Sequence, residues 1–324
     1  MRCLKFILLL LLPAAFSAHQ ALAGNPVVID PAIPATPITA AALSLDGTMV
    51  VLGSQNGLEI RNWPQLEPIT AIETDLEHIH DLSFSPDGNT LLIAGGSPAE
   101  EGAVQVVRWS DRTTLRRVSG HNDVVSRVVW TPDGQAWITS GTDHLCRVFS
   151  AESGALLLTF DGHSRPVMSL CCLDSADSVA SVGIDQTIRV WNRHNGKLLR
   201  TLDNHLAAIN GIAKCSRVAV GSPSVVATIS DDRTVRFWQP EIGRLMRFAK
   251  LPSIPRALAW SVSGDHLYAG CDDGKIRVVG FETSDVLTTL EGIDGRIYEL
   301  IMDRDGTRLL VVGEGLPKMI RLPE

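Results

Sequence analysis

The sequence predicts an all-β fold: seven four-stranded antiparallel blades around an axis, a seven-bladed β-propeller. Three observations predict it. A tight turn of the Ser-Pro-Asp-Gly type recurs at residues 44–47, 85–88, 131–134, 261–264 and 303–306, with a degraded copy at 174–177. An apolar strand recurs between the turns and ends at Trp63, Trp109, Phe149, Trp191, Trp238, Gly280 and, by alignment, Pro323. Those ends are spaced by 46, 40, 42, 47, 42 and 43 residues. A period of roughly 40–45 residues is that of a four-stranded propeller blade.

Each unit holds four short runs rich in Val, Ile, Leu and Thr, bounded by Gly, Pro, Asp and Asn. A single sheet of this kind has two apolar faces and is unstable alone. Packing blades side by side buries both. The chain has 324 residues, 45% hydrophobic and 20% charged, enough for such a core and too apolar for disorder.

In chain order, the first element is a leader. Arg2 and Lys5 precede an apolar run from Phe6 to Phe16, and Ala21-Leu22-Ala23 is a small-x-small cleavage pattern. This predicts a secretory signal peptide over residues 1–23, cut before Gly24, and a propeller domain over residues 24–324. The run is short for a membrane span. The mature chain is therefore expected to be exported, periplasmic or secreted, with no membrane insertion. The sequence has no Asn-x-Ser/Thr sequon, which favours a bacterial exported protein. Without the leader, 27 basic residues face 36 acidic ones. That balance argues against nucleic acid or an anionic membrane as the partner. Cys146, Cys171, Cys172, Cys215 and Cys271 remain, an odd number at irregular spacing in apolar strands. They read as small hydrophobes and not as a disulfide framework.

The units between about residues 120 and 240 share a polar pattern inside the apolar one. It comprises His163, Ser181, Asp185 and Trp191, then His205, Thr228, Asp232 and Trp238. Before them stand His121, Thr139 and Asp143, with Phe149 in place of Trp. The Ser/Thr-to-Asp offset is four in all three, and Asp-to-aromatic is six. In these residues and in its period the chain resembles the WD-repeat β-propellers. The resemblance implies a buried hydrogen-bond set in each such blade. The Asp accepts from the His, the His bonds the hydroxyl, and the hydroxyl reaches the Trp indole. It thus assigns these histidines a structural role. Other units depart from the pattern: Ala269 and Val279 replace Ser and Trp in the sixth, and Asp75 holds the His position in the second. The resemblance also implies ring closure by the chain start, with Val27–Asp30 pairing beside Met319–Leu322 and leaving no long open edge.

There is no Gly-rich phosphate loop, no Gly-x-Ser-x-Gly, no His-Glu-x-x-His and no zinc-spaced Cys/His set. No metal or cofactor is expected. Aligning the starts of the innermost strands places Thr39, His80, Ser126, Met168, Asn210, Arg256 and Tyr298 at one level of the channel mouth. Ala40, Asp81, Arg127, Ser169, Gly211, Ala257 and Glu299 follow them. His80, Asp81, Arg127, Arg256, Tyr298 and Glu299 are the candidate partner-binding residues. Residues 97–102, Ser-Pro-Ala-Glu-Glu-Gly, lengthen the middle hairpin of the second blade into an acidic bump on the same face. The leading reading is a non-catalytic scaffold, monomeric on its own, that binds a protein or peptide through the loops around the channel. Two readings stand beside it. One is a hydrolase or lactonase whose His80, Asp81 and Glu299 converge on a metal. The other is a small-ligand or glycan binder using Tyr298 and Arg256.

Overall fold

The second strand of each blade is where the sequence pattern turns into architecture. Ala136–Gly141 and Ser178–Gly183 are buried at every residue. A strand has two faces of alternating side chains, so both faces of these strands must be covered. Neighbouring blades cover them. In the computed structural model, which describes residues 36–174, 177–216 and 222–322, seven antiparallel sheets follow one another. They are blade 1 (residues 38–72), blade 2 (78–121), blade 3 (125–160), blade 4 (167–202), blade 5 (209–250), blade 6 (255–291) and blade 7 (297–321). Six have four strands, and blade 7 has three among the described residues. The expected leader, the expected closing strand Val27–Asp30 and Pro323 lie outside the described residues.

Each inner strand packs beside the next, and the inner strand of blade 7 packs beside that of blade 1, which closes the ring. The core is divided accordingly. Seven apolar clusters form among the described residues, one at each blade-to-blade interface. Blade 1 shows how alternation feeds two of them. Val51 points toward blade 2, where it meets Ile79 and Leu91. Its neighbours Val50 and Leu52 point the other way, onto Leu310 and Val312 of blade 7. The outer strands are mostly exposed, as in Leu198–Leu202.

The recurring turns join the first and second strands. In blade 2, Gly88 N–H donates to Ser85 O at 2.8 Å, and Thr90 N–H donates to Ser85 Oγ at 2.9 Å. Gly88 has φ +73°, the left-handed region that favours glycine. The aspartates of these turns are engaged locally: the Thr131 hydroxyl holds Asp133 down to about 2. The cysteines sit in the apolar interior. Burial pushes the Cys146 thiol up to about 12 and those of Cys172 and Cys271 up to about 11, so these three are poor nucleophiles near neutral pH.

Packing of the first strand against the second within a blade is tight enough at the backbone to give a test. A methyl group at Gly183 would overlap the carbonyl oxygen of Pro166, a backbone atom that cannot rotate aside. Gly183→Ala should cost about 2 kcal/mol, the scale of an overpacked core, read as a lowered urea midpoint with an unchanged slope.

Candidate interaction site at the channel mouth

Three blades are fastened from within. In blade 4, His163 Nδ1 lies 2.9 Å from Asp185 Oδ2 and Nε2 lies 2.8 Å from Ser181 Oγ, which accepts from Trp191 Nε1 at 3.2 Å. In blade 5, His205 Nδ1 is 2.8 Å from Asp232 Oδ2 and Nε2 is 2.8 Å from Thr228 Oγ1, which accepts from Trp238 Nε1 at 2.9 Å. In blade 3, His121 makes the same contacts with Asp143 and Thr139 at 2.8 and 2.7 Å, and Phe149 supplies no donor. In blade 5 these contacts fit a neutral imidazole that donates Nδ1–H to the carboxylate and accepts at Nε2 from the hydroxyl. Desolvation favours that form. It lowers His121, and it takes His205 to about 4 against the pull of Asp232.

A further partner of the set was present in the sequence as Asp-x-x-x-Arg and went unread. Arg147 Nη1 lies 2.8 Å from Asp143 Oδ2, Arg236 Nη2 lies 3.3 Å from Asp232 Oδ2, and Arg277 pairs with Asp273. Blade 6, which lacks the His and Trp, therefore keeps the ionic half of the fastening.

The seven mouth residues share a local geometry. The pairing of the first and second strands slips by one residue in every blade, as between Ile79 and Asp81 or between Pro255 and Ala257. The residue skipped is Thr39, His80, Ser126, Met168, Asn210, Arg256 or Tyr298. Each is thus the extra residue of a β-bulge, a device that re-aims a side chain out of the ladder. All seven line one cavity of 360 Å³ at the end of the channel.

Most of these side chains are already occupied. The Thr39 hydroxyl donates to Ile79 O, Ser126 Oγ donates to Val167 O at 2.5 Å, and Asn210 Nδ2 donates to Pro255 O at 3.3 Å. In each case the acceptor carbonyl belongs to the residue just before the bulge of the next blade. The mouth ring is therefore also a set of interblade clamps. Arg256 is held by Asp272 at 2.9 Å and Asp231 at 2.8 Å, and Tyr298 Oη donates to Glu314 Oε1 at 3.0 Å. Sequence alignment did not single out these three acids, because their contacts depend on where the hairpins curl. His80 is exposed at the mouth, yet the crowding walls hold its pKa below the ordinary value.

The next layer corrects one expectation. Asp81 is not at the rim. It is 1% exposed, because the residue after the bulge turns back between blades 2 and 3. Its Oδ2 accepts from Val128 N–H at 2.7 Å, and its Oδ1 lies 3.1 Å from Arg127 Nη1. Arg127 Nη1 also reaches Glu299 Oε1 at 3.0 Å, and Glu299 Oε2 accepts from Ala41 N–H at 2.9 Å. The guanidinium thus stands between the two carboxylates that the metal reading needed together. Burial pushes Asp81 up to about 7, against the pull of Arg127 and with added repulsion from Glu299. Among the described residues no group of three or more metal-ligating side chains is assembled. Arg127 and Glu299 also line a second cavity of 770 Å³ on the opposite face, so their pair separates the two halves of the channel.

The acidic bump of blade 2 is braced. Ala99 N–H donates to Asp123 Oδ1 at 3.0 Å, and Glu101 pairs with Arg117, which also reaches Asp75 at 3.1 Å.

Two predictions follow from these sets. Removing the Arg127 cation by Arg127→Met should cost about 3 kcal/mol in urea unfolding, because it strands buried carboxylates. Adding Asp81→Asn should recover part of that loss. For pH, His205 folds at about 4 against 6.5, so the unfolded chain takes up its proton first. Its contribution is full above pH 6.5 and is lost as pH falls toward 4. Asp232, held at about 2, adds a loss in the same direction lower down. Wild type should therefore lose more stability between pH 7 and 4.5 than a His205→Asn variant does.

Comparison with known proteins agrees with this architecture. The WD domain, G-beta repeat model matches residues 112–150, 154–192, 196–239 and 252–279. An uncharacterized WD repeat-containing protein of Synechocystis sp. is 29% identical over 135 residues, 41% of this chain and 37% of that protein. Periodic tryptophan protein 2 homolog of Dictyostelium discoideum is 30% identical over 91 residues, 28% of this chain and 10% of its own length. Elongator complex protein 2 of Homo sapiens is 26% identical over 133 residues, 39% of this chain and 15% of its own length. The matched stretches thus span well under half of these relatives. With repeats matched in four blades, and with the blade fastenings in place, the chain belongs to the WD-repeat β-propeller family.

Proposed function

We propose that this chain is an exported, non-catalytic interaction module that binds a protein or peptide partner at the channel mouth. The observation that carries the reading is the ring of bulges. Seven side chains of different chemistry, one from each blade, are aimed into one cavity of mixed polar and apolar lining. Such a surface recognises by shape and by a few fixed polar groups. WD-repeat relatives named as parts of assemblies, such as Elongator complex protein 2 of Homo sapiens and U4/U6 small nuclear ribonucleoprotein PRP4 of Saccharomyces cerevisiae, support the same class of role. The chemistry of the mouth supports binding over turnover. Arg256, Tyr298 and Glu299 are engaged within the propeller, and Asp81 lies beneath the surface.

The groups left to a partner are His80 and Met168, which make no side-chain hydrogen bond among the described residues. A His80→Ala, Met168→Ala double variant should fold like wild type. In a crosslinked pull-down from the native envelope and medium it should lose at least tenfold of a partner that wild type enriches. Equal recovery by both would move the binding face elsewhere. Export is tested by mass spectrometry of the chain isolated from its native cell. The expected N-terminus is Gly24, and a retained Met1 would remove export by signal cleavage from the reading.

A further inference from the structure

A tetrad of His, hydroxyl, Asp and aromatic residue stands in blades 3, 4 and 5, so their surfaces can be compared position by position. Four exposed positions surround each tetrad on the outside. One follows the tetrad His: Asn122, Ser164 and Leu206. One follows the tetrad Asp, in the left-handed conformation in all three: His144, Gln186 and Arg233. One lies on the outer strand opposite the Arg of the third strand: Thr159, Thr201 and Phe248. The last lies two residues further on: Asp161, Asp203 and Lys250. Blades 3 and 4 present uncharged polar groups or histidine and one acid at these sites. Blade 5 changes all four, to Leu, Arg, Phe and Lys.

The changed residues converge. Leu206, Arg233, Phe248 and Lys250 line one cavity of 430 Å³ on the flank of blade 5, away from the channel mouth. Leu206 is 81% exposed and Phe248 is 48% exposed, an apolar pair with no cover. Arg236 lies over the Phe248 ring at 5.4 Å and is tied to Asp232. Arg233 and Lys250 have no ion-pair partner among the described residues, in a chain of net charge −7. The backbone beneath is fixed, since Leu206 N–H donates to Asp232 Oδ2 at 3.1 Å.

We propose that the blade 5 flank is a second docking surface, for a peptide segment that places a carboxylate beside an apolar side chain. The apolar side chain would lie between Leu206 and Phe248. The carboxylate would meet Arg233 and Lys250, the basic pair in an otherwise acidic molecule. Burying an apolar anchor gives affinity, and the cations select against basic or neutral partners. The inference rests on the blade-to-blade contrast and is independent of the channel-mouth reading.

The test exchanges blade 5 for its neighbour. A variant carrying Leu206→Ser, Arg233→Gln, Phe248→Thr and Lys250→Asp takes the residues that blade 4 bears on the same frame, and should fold. A phage-displayed library of random dodecapeptides is panned on the full wild-type chain, with counter-selection on the variant. The expected result is enrichment of sequences with Asp or Glu within two residues of Leu, Ile or Phe. Synthetic copies should bind wild type at least tenfold more tightly than the variant. No enrichment over counter-selection, or enrichment of basic or neutral sequences, overturns the proposal. So does sedimentation of wild type, but not the variant, with phosphatidylserine vesicles when no peptide is selected, which would assign the surface to a membrane. Self-association of wild type that the variant lacks, again with no peptide selected, would assign it to a second copy of this chain.

Discussion

The second strand of each blade has water on neither face, and much of the molecule follows from that. Side chains on both faces must be apolar or must carry their own partners. Most are Val, Ile, Leu and Ala, and they build the interfaces on either side. Among the polar exceptions, Thr139, Ser181 and Thr228 are fully buried, and each bonds a histidine. A hydroxyl left alone there would cost its full desolvation. In blades 3, 4 and 5 the histidine and the carboxylate it bonds are thus consequences of one buried hydroxyl. The indole and the guanidinium attach to the same core of bonds in some blades and not in others.

The same logic explains which parts of the fold were legible in the sequence. The ring was legible because strand period, turn residues and tetrad spacing act over a few residues each, and blades 3 to 5 state all of them. Blades 1, 2, 6 and 7 lack the histidine, and their strands are marked by the turns and the alternation of apolar residues. The mouth was legible only in part. Aligning strand starts identified the seven residues that line the cavity, since register follows the repeat. It could not separate His80, which faces the channel, from Asp81, which does not. That distinction is made by a one-residue slip in pairing. A slip of that kind depends on two strands at once and leaves no mark on either sequence. The acids that restrain Arg256 and Tyr298 were hidden for a similar reason. They reach the mouth from hairpins whose curl is set in three dimensions.

The bulges join construction to recognition. Skipping a residue frees one carbonyl at the top of each inner strand. Thr39, Ser126 and Asn210 use three of those carbonyls to clamp one blade to the next. The residues that shape the mouth are therefore also those that hold its diameter. A partner meets a frame whose polar groups are positioned before it arrives, which limits the ordering cost of binding. The flank of blade 5 follows the opposite design. Its frame is the common one, and all of its distinctiveness lies in four side chains that the frame does not need.

The pairing of Arg127 with Glu299 has a temporal meaning as well as a structural one. The two residues are 172 positions apart, and they meet only when blade 7 has come around to blade 1. Contacts of such separation form late, because the chain between them must first lose its freedom. Asp81 meets Arg127 as soon as blades 2 and 3 pack, whereas Glu299 joins them only when the last blade arrives. The network is therefore complete only in the finished circle, and it distinguishes a closed ring from one arrested a blade short.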